Sequence, residues 1–93
     1  MSPGYIYIIS NPLWPGYSKV GRARRVSDRL RNYQTYSPHR DYRLNHSIPV
    51  QDRYLAEAVA HRHLAGYRVL GTEWFVIDPT DAFTLIHPHL KET

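Results

Sequence analysis

Residues 5–21 read YIYIISNPLWPGYSKVG, and this stretch decides the fold. Its first five residues are aromatic and β-branched, so a strand is expected from Tyr5 to Ile9. The Asn-Pro and Pro-Gly steps in SNPLWPG mark a turn. YSKV then reads as a second strand, and two strands joined by one loop suggest an antiparallel hairpin. Side chains alternate across a strand. Tyr5, Tyr7 and Ile9 therefore share one face, and Ile6 and Ile8 the other. In the second strand Tyr17 and Lys19 lie opposite Val20. Burying Ile6, Ile8 and Val20 together puts Tyr7 and Lys19 on the same face. A register slip of one residue would undo that placement. Gly21 is expected to end the second strand.

Beyond Gly21, Val26, Leu30 and Tyr33 recur at i, i+4 and i+7 and predict a helix from Val26 to Gln34. Arg25, Arg29 and Tyr33 run along one edge of its apolar stripe. TYSPHRD is a loop. YRLNHSIPV has weak strand character, closed by Pro49. An alanine-rich second helix fits Gln51 to Ala65 and stops at Gly66. EWFVI is a short strand whose apolar run places Trp74 and Phe75 in the core. PTDAFTLIHPHL begins as a helix, capped by Asp78 or Thr80 and limited by Pro88. There is no repeat, linker or low-complexity segment, so one domain is expected over residues 1–93.

A chain of 93 residues buries only a thin core, which makes a shallow surface cleft the place for chemistry. It contains no cysteine, which excludes disulfides and thiolate zinc sites and suits a reducing cytoplasm. No basic region precedes the first short apolar run, so a signal peptide is not expected. No apolar run is long enough to span a membrane, and a cytoplasmic location is expected. The net charge is +4. Arg22, Arg24, Arg25, Arg29, Arg31, Arg40 and Arg43 lie close together in sequence, interrupted by Asp28 and Asp41 alone among acidic residues. Clustered guanidinium forks match phosphate oxygens, so nucleic acid is the leading partner class. The same charge also suits a plain solvated surface. Lysine is scarce: besides Lys19 there is only Lys91.

The order of these features resembles the GIY-YIG nuclease superfamily. The first motif reads Tyr5-Ile6-Tyr7 and the second Lys19-Val20-Gly21. The sequence looks most like a phage and bacterial branch with Lys-Ile-Gly for Tyr-Ile-Gly and a late Gly-Glu-Trp-Phe, here Thr72-Glu73-Trp74-Phe75. The resemblance covers residues 4–77. It implies an α/β domain of the α+β type, with a small three-stranded antiparallel sheet flanked by helices. It also implies endonuclease hydrolysis of DNA with one divalent ion, magnesium or manganese. On this resemblance Tyr7 matches the first-motif tyrosine, and Lys19 takes the place of the second. Arg29, eight residues after Gly21, matches the helix arginine. Arg22 and Tyr33 match basic and aromatic positions beside the phosphate. Glu57 matches the metal-binding glutamate. The usual late asparagine has no counterpart, and Glu73 stands where this branch differs.

Each assignment has a physical basis. Cleaving an anionic phosphodiester needs charge neutralisation, an activated water and help for the leaving oxygen. Glu57 is a hard oxygen ligand suited to magnesium, which keeps several waters and takes one or two carboxylates. It is equally placed to pair with Arg53 or His61 one turn away. Arg29 would bind phosphate and the transition-state charge, with Arg22, Arg24 and Arg25 as further DNA contacts. Tyr7 would orient or deprotonate water, although a phenol with an ordinary pKa of about 10 needs a cation to act as a base. Lys19 acts either as an ammonium beside Tyr7 or, if desolvated, as a neutral base. The shallow site favours the ammonium. His61, one turn after Glu57, would support the metal ligand or contact phosphate. The competing expectation is a DNA-binding module that does not cut, with a protein-interaction domain as a weaker third. No appended recognition domain is expected, so either intrinsic specificity is low or a homodimer or a partner supplies it.

Overall fold

The most apolar strand of the sequence lies in the interior of the sheet. A computed structural model describes residues 1–93. In it β1 (Gly4–Ser10) pairs with β2 (Ser18–Ala23) on one side and β3 (Arg43–Val50) on the other. A two-residue strand, β4 (Trp74–Phe75), closes the order β3-β1-β2-β4, antiparallel throughout. Three α-helices complete the α+β domain: α1 (Val26–Thr35), α2 (Arg53–His63) and α3 (Pro79–Ile86).

The sheet thus has four strands, not the expected three. The weak segment around Pro49 is a full strand because it lies at an edge. There a proline's missing N–H costs no ladder bond, and Pro49 stands exposed opposite Tyr5. A bulge between Ile8 and Ile9 adjusts its register. At the other edge β4 is shorter than EWFVI suggests. The chain before it folds back, with Val69 N–H donating to Trp74 O (2.9 Å) and Val76 N–H to Tyr67 O (2.7 Å). Only Ser18 and Lys19 pair with β4, so Gly21–Ala23 has no strand beside it on that side.

Alternation holds along the hairpin. Ile6, Ile8 and Val20 pack with Ile48, Val50, Ala56, Ala60, Leu64, Phe75 and Ile86 in the main core under α2 and α3. Tyr7, Ile9 and Ala23 point to the opposite face, where Val26, Leu30 and Tyr33 of α1 cover them with Tyr42. Each fully buried aliphatic side chain contributes about 1.5–3 kcal/mol. The helices start where the sequence supplies acceptors. Asp52 takes the N–H groups of Tyr54 and Leu55 at α2, and Asp78 that of Thr80 at α3, with Pro79 next. The N-cap of α1 is Arg25, which makes no side-chain capping bond.

Gly21 does not end β2. It sits within the strand, directly opposite Tyr7. A Cβ there would lie 2.5 Å from the Tyr7 hydroxyl oxygen and 2.7 Å from Cζ, so the phenol ring occupies the space that a side chain would need. The Gly21 backbone is not left-handed, so this crowding is the barrier to alanine. Gly21→Ala is expected to cost about 1–3 kcal/mol through overpacking, read by chemical denaturation. In a double-mutant cycle with Tyr7→Ala that cost should shrink; an unchanged cost would exonerate the ring.

Candidate nucleic-acid interface

The α1 face of the sheet carries a cluster built around Tyr7. Burial of Tyr7 is nearly complete, yet its hydroxyl meets that of Tyr33 at 2.8 Å. Lys19, on the same face, places Nζ 5.2 Å from the Tyr33 ring centre and 5.7 Å from that of Trp74. Ring faces at this range attract a cation. Tyr42 continues the row, 5.6 Å from Tyr33 and 6.5 Å from Trp74. The expected pairing of Tyr7 with Lys19 on one face is therefore present.

Burial pushes the Tyr7 phenol far above its ordinary range. The Tyr33 hydrogen bond and Glu73 push the same way, while Arg29 opposes them. A phenol held neutral orients a neighbouring group through its hydroxyl and does not supply a phenolate. Glu73 adds a negative charge within electrostatic reach of this cluster, and its carbonyl accepts from Val20 N–H.

The unpaired end of β2 is where the two faces of the sheet meet. A groove of about 480 Å³ runs there, lined by Arg22, Arg24, Arg25, Arg29 and Arg53, with Tyr54 beside them. Asp28 is its one acidic lining residue. Arg29 belongs to both regions: it lines the groove and its charge acts on Tyr7.

Glu57 stands on the α2 side of the sheet, across from Tyr7 and Lys19. Its Oε1 accepts from Arg22 Nη1, and its side chain is only 12% exposed. The guanidinium of Arg22 also lies 4.5 Å from the Tyr54 ring centre. Partial burial works against the Arg22 charge, but the Glu57 carboxylate outweighs it and holds the pKa above its ordinary value. Neither Arg53 nor His61 takes Glu57 as a partner. Arg53 Nη1 donates to Pro3 O, and His61 Nε2 meets Val20 O at 2.7 Å, which ties α2 to β2. The expected site residues thus fall into three places: Tyr7, Lys19 and Tyr33 on one face, Glu57 and His61 on the other, and the arginines around the edge. No three His, Asp or Glu side chains converge on one point.

Sequence reasoning missed Arg53 and Tyr54 in the groove, and the exposed side of Trp74. Phe75 is fully buried as expected, but Trp74 is only partly covered. The period of two across β4 separates them, a signal present in the sequence.

A family model described as the T5orf172 domain matches residues 4–87. The chain belongs to the T5orf172 domain family. This corrects the resemblance drawn from Tyr5-Ile6-Tyr7 and Lys19-Val20-Gly21: the family matched is T5orf172, not GIY-YIG. The strand order and arginine helix that suggested the GIY-YIG superfamily are features of this T5orf172 domain. The T5orf172 family has a general link to DNA-related function, in keeping with the arginine groove. No curated protein and no solved structure matches the chain. No helix is long and apolar enough to cross a membrane.

The Tyr7 environment has a consequence for stability. In the unfolded chain Tyr7 ionises near pH 10, as an ordinary tyrosine does. In the folded chain it stays protonated well above that. Its contribution is therefore complete below about pH 10 and is lost as the pH climbs toward the folded pKa. Between about pH 9 and about pH 11 the melting temperature should fall less steeply in Tyr7→Phe than in the parent. Parallel slopes in thermal melts would contradict this.

Proposed function

We propose that this domain is a metal-dependent DNA endonuclease that hydrolyses phosphodiester bonds. The observation that supports it is the convergence of Arg22, Arg24, Arg25, Arg29 and Arg53 on one groove, with the Glu57 carboxylate attached through Arg22. Glu57 suits a divalent ion by its donor chemistry. Arg22 engages Oε1, which leaves Oε2 as a hard oxygen ligand, and magnesium or manganese needs few protein ligands when phosphate and water complete its shell. When bound, such an ion supplies Lewis acidity to the phosphate.

The chain's own residues do the rest. Arg24, Arg25 and Arg53 hold the phosphates on either side of the edge. Arg29 meets the charge that builds on the reacting phosphate, where a preorganised guanidinium is most effective. Arg22 orients Glu57 and adds positive charge beside it. Tyr7, neutral and nearly buried, acts through the Tyr33 hydroxyl that it bonds, and the Lys19 ammonium stabilises negative charge next to it.

A second reading, a DNA-binding module that does not cut, draws on the same pair: Arg22 already occupies one Glu57 oxygen. One experiment separates the two. Supercoiled plasmid is incubated with the protein and magnesium or manganese, beside an EDTA control. Metal-dependent nicking that falls at least about 100-fold in Glu57→Gln and in Arg29→Ala is the expected result. Binding without cutting under any metal would leave only the module. In either case Arg24→Ala and Arg25→Ala should each lower the salt slope of DNA binding by about 0.9.

A further inference from the structure

Beside the Tyr7–Lys19 cluster lies a pocket of different chemistry. Trp14, Tyr17, Tyr42, Val69, Thr72 and Trp74 enclose about 300 Å³. The aromatic walls do not stack on one another. Trp14 and Trp74 meet edge to face at 5.8 Å, and Tyr42 is tilted 32° from Trp74. Trp14 and Tyr17 are 46% and 37% exposed. The loop that carries Trp14 is held in place. Asn11 accepts from Leu13 N–H and donates to Asp41, which also accepts from Ser37. The pocket is thus bounded by fixed elements.

We propose that this pocket binds an unpaired nucleobase of single-stranded DNA whose backbone lies along the arginine groove, a proposal that rests on the DNA reading above. Charge and continuity support that occupant. Trp74 and Tyr42 form the pocket wall, Lys19 places its ammonium 5.7 Å from the Trp74 ring centre, and Tyr33, 5.6 Å from Tyr42, stands one helical turn from Arg29 of the groove. A strand of alternating anionic phosphates and flat bases matches both surfaces, its phosphates the cations of the groove and its bases the aromatic walls of the pocket. The volume is at the small end of ligand pockets, enough for a planar ring system and too small for a helix. A duplex keeps its base faces stacked and presents only edges. A single strand exposes the faces, and aromatic side chains bind them with little regard to sequence.

Both tryptophans of the protein, Trp14 and Trp74, line this pocket, so intrinsic fluorescence reports on it directly. The test titrates the protein with oligothymidylate and with an abasic oligomer of the same length and charge. Oligothymidylate should quench the emission and bind about 5- to 100-fold more tightly than the abasic strand. Trp14→Ala and Tyr17→Ala should each reduce that advantage and leave abasic binding unchanged. Circular dichroism confirms that the variants fold, and having two exposed positions to vary keeps the test intact if one does not.

Equal affinity for the two oligomers, with unchanged emission, would overturn the pocket and leave the DNA reading standing. A dimer in sedimentation velocity that Trp14→Ala dissociates would assign the pocket to a second copy of the chain. Binding of neither oligomer at low salt would overturn both readings together.

Discussion

The arrangement depends on one close contact, the Tyr7 ring lying across Gly21. A strand tyrosine at a sheet surface normally points away from the neighbouring strand. Here the neighbour has no side chain, so the ring folds over the backbone and is buried between the sheet and α1. That placement sets the hairpin register more firmly than the loop does, because a slip by one residue would put Val20 or Arg22 under the ring. It also carries the hydroxyl to Tyr33, and Tyr33 in turn sits beside Lys19. The aromatic row and the cation within it follow from one missing Cβ.

The second determinant is the shortness of β4. A longer strand would have sealed the edge of β2 and separated the two faces of the sheet. Because pairing stops at Lys19, side chains from both faces converge around Gly21–Ala23. Arg29 arrives from α1, and Arg22 with Glu57 from the α2 side. A domain too small for a deep cavity assembles its charged groove at an incomplete sheet edge.

Much of this was legible in the sequence, and the failures have physical causes. Alternation in YIYII and YSKV separates Ile6, Ile8 and Val20 from Tyr7 and Lys19, and packing preserves it because each sheet face is covered by helix. The Val26, Leu30, Tyr33 stripe identifies α1 for the same reason. Pro49 misleads because a proline's effect depends on whether its strand is an edge, which local sequence does not encode. Gly21 misleads because its role lies across the sheet, in Tyr7. Spacing offers Glu57 the helical partners Arg53 and His61 at i±4 as the alternative to a metal, whereas its ion-pair partner is Arg22, 35 positions away, and such pairing follows from topology alone. The family assignment failed for a related reason: short motifs in the right order identified a strand and helix plan without distinguishing the T5orf172 family.

The free edge of β2 has a further consequence. An unpaired strand edge is a template on which another chain can add, and proteins guard such edges with charge. Here Arg22 and Arg24 lie at that edge, so two copies approaching edge to edge would bring like charges together. On the proposed function the same guanidinium groups would have two duties, gripping an anion and keeping the molecules apart. A bound polyanion would neutralise the repulsion while covering the edge that the repulsion protects. Replacing these arginines with neutral hydrogen-bonding residues would preserve local polarity yet leave a bare edge, which limits how freely the groove can change.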